Sequence, residues 1–154
     1  MDTTATPAGG ATVLVVDDNP DAREILTRSL QKAGYCAIAA SGAEECLDMV
    51  RSLPIDVILL DVMMPGMDGL TCCEELKKID RAEAIPIILV TARDDVDTRA
   101  AGMRLGVSEF ITKPVNMTEL HTRVRSQLHA REIRRQLEHT SRKLGTLTSD
   151  EVTD

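Results

Sequence analysis

Ile55-Asp56-Val57-Ile58-Leu59-Leu60-Asp61 runs directly into Val62-Met63-Met64-Pro65-Gly66-Met67-Asp68-Gly69. A short apolar run bounded by Pro54 on one side and a Pro/Gly-rich loop on the other reads as a fully buried central strand, not a helix. Asp61 then stands where a buried strand meets a loop. In open parallel α/β sheets, ligands bind in the crevice outside the carboxyl ends of the strands, so an acid at that place is a candidate for chemistry. Capping of the loop or of the next helix is the competing use for the same carboxylate.

Working outward, Thr12-Val-Leu-Val-Val16 is a second continuous apolar run, closed by Asp17-Asp18-Asn19-Pro20. Asn19 or Asp18 suits a cap and Pro20 a first helical turn, and Ala22, Ile25, Leu26, Ser29, Leu30 and Ala33 keep helical spacing up to the stop at Gly34. Tyr35 to Ala40 reads as a weaker edge strand. Ser41-Gly-Ala-Glu44 has capping-box spacing ahead of Ala43, Cys46, Leu47 and Val50. Beyond the Asp61 loop, Leu70, Cys73 and Leu76 mark a third helix, and Ile85-Pro-Ile-Ile-Leu-Val90 a third apolar strand ending at Thr91-Ala92. A fourth helix is expected from about Asp95 to Leu105. Glu109-Phe-Ile-Thr112 is a short fifth strand closed by Lys113-Pro114, and Asn116-Met-Thr-Glu119 opens a last helix. Strand and helix alternate five times. Such an order implies a parallel sheet covered on both faces, with right-handed crossovers.

The chain of 154 residues suits one domain with appendages. Its core must be built from aliphatic side chains, because Tyr35 and Phe110 are the only rings and there is no Trp. A net charge of −7 argues against generic nucleic-acid affinity, which needs a basic face. Cys36, Cys46, Cys72 and Cys73 lack metal-ligand spacing and read as small apolar fillers in a reducing compartment, the adjacent pair pointing different ways from a helix. No stretch approaches a membrane span in length, and Met1 to Gly10 has neither the basic start nor the apolar centre of a signal peptide, so the expected location is the cytoplasm. Residues 1–11, rich in Thr, Ala, Gly and Pro, read as a disordered leader.

In a parallel sheet all carboxyl ends point the same way, so Asp17, Asp18, Asp61, Thr91 and Lys113 should converge. Carboxylates held close together repel unless a cation neutralises them. Mg²⁺ fits, since it takes oxygen ligands and is commonly held by one or two carboxylates and a phosphate. Lys113 adds a point charge and Thr91 a hydroxyl donor. Together they make a cradle for a phosphoryl group, whose charge spreads over its equatorial oxygens during transfer. Each residue alone has a plainer use: a helix cap for Asp17 or Asp18, a filler for Thr91, a solvated charge for Lys113. Four such positions at successive strand ends favour the joint reading.

These residues resemble a family. Leu-Val-Val-Asp17-Asp18, Leu-Leu-Asp61 with Met64-Pro-Gly-Met-Asp-Gly69, Val90-Thr91-Ala92 and Phe110-Ile-Thr-Lys113-Pro114 look like the receiver domain of two-component response regulators, over about Thr12 to Arg131. The resemblance implies an α/β, flavodoxin-like fold: a doubly wound five-stranded parallel sheet of order 2-1-3-4-5, here with its last helix extended. It implies that Asp61 is the phosphoacceptor for a sensor histidine kinase. Asp18, Asp61 and the backbone carbonyl of Met63 would bind Mg²⁺ directly, and Asp17 through water. Thr91 and Lys113 would hold the phosphoryl oxygens, and the Lys113–Pro114 peptide would be cis. Thr91 and Phe110 are the implied switch pair, reshaping the face made by the fourth helix, fifth strand and last helix for a downstream protein partner. Phe110 as plain core filler predicts the same apolar residue. Met63 and Arg93, neither an acid nor an amide, flank the implied site, from which slow self-dephosphorylation is expected.

The expected boundaries are a receiver at 12–131, a helical extension at 132–146 and a flexible acidic tail at 147–154. In the extension Ala130, Ile133, Leu137, Thr140 and Leu144 fall at alternating three- and four-residue steps, a coiled-coil seam of about two heptads. It would serve a homodimer or a partner, or begin a connector to an effector; no output domain, helix-turn-helix or DNA contact is expected within these residues. Two other functions compete with the signalling switch. One is a Mg²⁺-dependent phosphatase of the haloacid dehalogenase type, which normally wants a second acid where Met63 stands. The other is a pseudo-receiver used only for docking.

Overall fold

The computed structural model describes residues 10–82, 84–92, 95–107 and 109–153, with side chains described as far as residue 144 except at position 81. The leader expected over 1–11 therefore lies outside the described residues apart from Gly10 and Ala11, as does Arg93. Strands β1 (Thr12–Val16), β2 (Cys36–Ala40), β3 (Val57–Asp61), β4 (Ile87–Thr91) and β5 (Glu109–Thr112) alternate with helices α1 (Pro20–Lys32), α2 (Ala43–Ser52), α3 (Gly69–Leu76), α4 (Val96–Arg104) and α5 (Met117–Thr153). All pairings are parallel and the sheet order is β2-β1-β3-β4-β5. Both the fold class and the strand order are those expected from sequence, with β2 at one edge.

Strand side chains alternate between faces, and the two faces make two cores. Val13, Val15, Leu59, Ile88 and Ile111 face Leu26 and Leu30 of α1 and Leu120 and Val124 of α5. Leu14, Val16, Ile58, Leu60 and Leu89 face Cys46, Leu47 and Val50 of α2 and Cys72, Cys73 and Leu76 of α3. Both adjacent cysteines of α3 are buried, Cys72 against Cys46 of α2.

Several local expectations shift by a residue or two for identifiable reasons. The ladder of β4 starts at Ile87, not Ile85, because Pro86 has no N–H to give; its carbonyl instead accepts from Ile58 N at 3.0 Å. β3 starts at Val57, since Asp56 is occupied with Thr12, its Oδ2 accepting Thr12 N at 2.7 Å. The expected box on Ser41 and Glu44 is displaced: Gly42 is the cap, so the third helical position is Glu45, whose Oε1 accepts Ser41 N at 2.6 Å and Ser41 Oγ at 3.1 Å. Ile25, placed on the apolar stripe of α1, is 57% exposed because it stands at the carboxyl rim, lining a groove with Ala22 and Met117, while Leu26 and Leu30 take the core. A 3-10 turn at Asp80–Ala82 carried no sequence signal.

α5 is one element with two environments. Leu120 and Val124 sit in the core, and Arg131 Nη1 donates to Ile55 O at 3.0 Å and pairs with Asp56 Oδ1 at 3.0 Å. From Glu132 to Leu144 every residue is exposed, the seam residues Ile133, Leu137 and Leu144 among them. Where a flexible tail was expected over 147–154, the backbone of α5 stays helical as far as Thr153; the side chains there lie outside the description.

Candidate functional site

β1 ends on Val16 and the chain turns through Asp17, Asp18 and Asn19 into α1, whose first turn is capped by Asn19 Oδ1 accepting Ala22 N at 3.0 Å. The cap is thus supplied by Asn19, which releases both acids for the rim. Asp17 is held on both sides: its Oδ1 accepts Asn19 N at 2.9 Å, and Arg23 Nη1 donates to its carbonyl at 2.8 Å. Asp61 closes β3, and Met63 N donates to its Oδ1 at 3.2 Å.

The loop after Asp61 is folded tightly over it. Gly69 N donates to Val62 O at 3.0 Å, and a Cβ on Gly69 would lie 2.7 Å from both the Asp61 carbonyl oxygen and Val62 Cα. Gly66, with φ of 77°, supplies the left-handed turn between them. Asp68 then caps α3 by accepting Thr71 N at 2.9 Å.

The strand ends converge as the parallel order requires. One carboxylate oxygen from each of Asp17, Asp18 and Asp61 lies within 4.8 Å of the others. Asp17 and Asp61 are buried and Asp18 is exposed. From β5, Lys113 Nζ reaches Asp61 Oδ1 at 3.0 Å, and its own N–H is fixed to Thr91 O at 2.9 Å. Thr91, at the end of β4, is 1% exposed and its hydroxyl has no hydrogen-bond partner among the described residues. The Lys113–Pro114 peptide is cis.

The electrostatics follow from that crowding. Burial raises the Asp17 carboxyl above the ordinary carboxylate value, the Asn19 N–H pulls it back, Asp61 pushes it up again, Lys113 lowers it and Asp18 adds a last increment upward. Three acids share one ammonium. The set of oxygen donors, two of them buried, matches a hard divalent cation in chemistry and number.

Met63 lies at the rim with its side chain 67% exposed, so nothing acidic or basic from that position reaches Asp61. Phe110 lies apart from the acids, on β5 opposite Leu89; its ring packs on α4, where a Cβ on Gly102 would come within 3.0 Å of Cε1. Two participants had no sequence signal. Arg99 of α4 donates to Thr112 Oγ1, tying α4 to the residue beside Lys113. Ala22, Ile25, Pro114, Val115 and Met117 form an apolar wall beside the acids, a consequence of α1 and α5 flanking the same rim.

A buried carboxylate met by an ammonium, a hydroxyl without a partner among the described residues and two further acids can receive a phosphoryl group and stabilise its oxygens. The family described as "Response regulator receiver domain" matches residues 13–125. Response regulator MprA of Mycobacterium tuberculosis (strain ATCC 25618 / H37Rv) is 39% identical over 141 residues, 92% of this chain and 60% of that protein. The "probable transcriptional regulator ycf27" of Guillardia theta is 40% identical over 116 residues, 75% of this chain and 44% of that protein. The chain thus spans about three fifths or less of the curated relatives it matches. Among solved structures, the chemotaxis protein CheY4 of Vibrio cholerae superposes with a TM-score of 0.72 at 28% identity, covering 75% of this chain and 97% of that one. A response regulator receiver protein from Pseudomonas putida gives 0.71 at 35% identity, covering 75% and 96%.

Proposed function

The chain belongs to the response regulator receiver family, a signalling family and not one of catalytic enzymes, and on that premise we propose that Asp61 is its phosphoacceptor. The observation that carries the assignment is the 3.0 Å approach of Lys113 Nζ to the buried Asp61 carboxylate, beside two further acids. Response regulators are phosphorylated by histidine kinases. A carboxylate oxygen of Asp61 attacks the phosphorus of a phosphoimidazole; the P–O bond forms as the P–N bond breaks, and the imidazole leaves with a proton from solvent. Lys113 moves from pairing the carboxylate to pairing a phosphoryl oxygen, and the Thr91 hydroxyl, unpaired beforehand, donates to another. Asp17, Asp18, Asp61 and the backbone carbonyl of Met63 would hold Mg²⁺, which when bound neutralises the acids and the transferred group.

Thr91 and Phe110 form the switch in this reading. Movement of the Thr91 side chain toward the phosphoryl group vacates space near Leu89 and Phe110, and the ring, partly buried under α4, takes an inward position in the active conformer. The face of α4, β5 and α5 then presents a different surface to a protein partner. Exposed Val96 and Met103 on α4 give that face apolar contact area. Residues 12–131 act as the receiver, 132–146 as a helical extension and 147–154 as a tail. The seam of the extension supports a homodimer, and a chain ended at residue 135, which keeps the Arg131–Asp56 pair, should sediment as a monomer; an unchanged oligomeric state rules the seam out. We place the protein in the cytoplasm: among the described residues no helix is long and apolar enough to cross a membrane. The net charge of −7 supports action without direct nucleic-acid contact by these residues.

Nothing favours the phosphatase alternative, since the position two residues after Asp61 holds the exposed Met63. The decisive test is phosphotransfer from labelled sensor kinases to the full chain. One stoichiometric, lingering phosphoprotein is expected, absent from Asp61→Asn. A variant that takes label as well as the parent removes Asp61 from the role.

A further inference from the structure

The opposite rim of the sheet, at the amino ends of β1 and β3, carries a groove between α1 and α5 of about 890 Å³. That lies within the roughly 300–1,000 Å³ common to small-molecule sites. Its charge runs against the composition of the chain. Acids outnumber bases by 25 to 18 overall, yet Lys32, Arg125, Arg131 and Arg135 line the groove against Asp56 and Glu132 alone. Asp56 is already committed, to Arg131 at 3.0 Å, to Arg135 at 3.9 Å and to Thr12 N at 2.7 Å. Lys32 and Arg125 make no ion pair among the described residues, and both are exposed. Burial is the first cause that lowers the pKa of the Arg131 guanidinium, and the charge of Arg135 the second.

The walls are fixed before anything binds. Ser29 Oγ and His121 Nε2 lie 2.8 Å apart, bridging α1 to α5, and Arg131 is pinned to Ile55 O at 3.0 Å. A preformed site spends little binding energy on ordering its own side chains. Tyr35 and Leu128 add apolar surface beside the cations. Guanidinium and ammonium groups recognise phosphate through charge-assisted hydrogen bonds, and the apolar wall suits an organic body.

We propose that this groove is a second ligand site, remote from Asp61, for a small phosphorylated organic molecule held by Lys32 and Arg125. An extended acidic peptide fits the observations less well, because Asp56 already occupies Arg131 and Arg135, which leaves Lys32 and Arg125 as the cations without an ion pair among the described residues. The site needs no phosphorylation of Asp61 to bind, and its ligand would bear on the root of the α5 extension through Arg131 and Asp56.

The chain supplies its own reporter, since Tyr35 is the single tyrosine and there is no tryptophan. Tyrosine emission of the full chain is titrated with pyrophosphate, with a hexose bisphosphate, with sulfate at matched ionic strength and with a polyglutamate peptide. The expected result is a saturable change with both phosphate probes, tighter for the bisphosphate, weakened about tenfold in Arg125→Ala and again in Lys32→Ala. Phosphotransfer to Asp61 stays at the parent level in both variants. No saturable change up to about 10 mM of either probe overturns the proposal. So does an affinity unaltered by Arg125→Ala and Lys32→Ala, an equal response to sulfate, which means an adventitious anion only, or tighter binding of the peptide. Ring-proton shifts of His121 and His129 give the same affinities independently of emission.

Discussion

Replacing Gly69 by alanine tests how tightly the loop is folded over Asp61. The added Cβ would meet two backbone atoms at 2.7 Å, the Asp61 carbonyl oxygen and Val62 Cα. Ordinary carbon contacts settle at roughly 3.5–4.0 Å, so the loop or the first turn of α3 must retreat by about 0.5 Å or more. Neither neighbour is the flexible end of a side chain; one is the acceptor residue itself. Overpacking of this kind costs about 1–3 kcal/mol, against at most about 1 kcal/mol gained from alanine's better helix propensity. The expected net loss is about 1–2 kcal/mol, a fall of roughly 3–10 °C in melting temperature for a domain of this size. Gly42→Ala is the matched control: it stands at the cap of α2 with φ of −175°, an extended conformation open to any residue, and a Cβ there has nothing within 4 Å. Its effect should stay within about 1 kcal/mol, which is the loss of glycine's preference over alanine at a cap. Thermal and urea unfolding followed by circular dichroism read both variants, and phosphotransfer reads the displacement of Asp61 directly. If Gly69→Ala melts at or above Gly42→Ala and accepts label at the parent rate, the loop is not packed against Asp61 as described.

Asp17→Asn should stabilise the protein by about 1 kcal/mol at neutral pH in the absence of divalent cations, since it removes a charge disfavoured first by burial and then by Asp61 while leaving an acceptor for Asn19 N. The sign follows from linkage: the raised carboxyl holds its proton more tightly in the native state, so stability falls as pH rises from the ordinary carboxylate value through the raised one, and the variant gains nothing below that window. The same variant should gain less melting temperature from added Mg²⁺ than the parent; an equal gain excludes Asp17 from the cation site. Of the four thiols, exposed Cys36 alone should be alkylated by iodoacetamide under native conditions, because Cys46, Cys72 and Cys73 are buried and burial pushes the Cys73 thiol up to about 12. Mass spectrometry after a timed pulse reads this directly, and early labelling of Cys73 would mean that α3 opens far more readily than its packing against α2 implies.

Much of the site was legible because it lies at strand ends. Val16, Asp61, Thr91 and Thr112 close their strands in sequence as they do in space, and parallel order carries Asp17, Asp18, Asp61, Thr91 and Lys113 to one rim without any knowledge of side-chain packing. Turn and cap chemistry was legible for the same local reason at Asn19 and Asn116, whereas the caps on Asp68 and Asp95 came only with the structure. Where two local signals competed, as at Ser41, Glu44 and Glu45, a single-residue shift separated expectation from outcome. Pro86 shows a rule that sequence contained but apolarity masked, since a missing N–H outweighs an unbroken hydrophobic run.

By itself the sequence determined the alternation of strands and helices, the parallel sheet and the set of polar residues at its carboxyl rim, because hydrophobic period and strand-end position are properties of neighbours along the chain. Tertiary structure alone decided that Lys113 pairs with Asp61, that Thr91 is buried with its hydroxyl unpaired among the described residues, that Arg99 reaches Thr112, and that Lys32 and Arg125 line one groove. Those are relations between elements far apart in sequence, set by which helix the sheet's twist and side-chain volumes bring against which strand, and no local period encodes them.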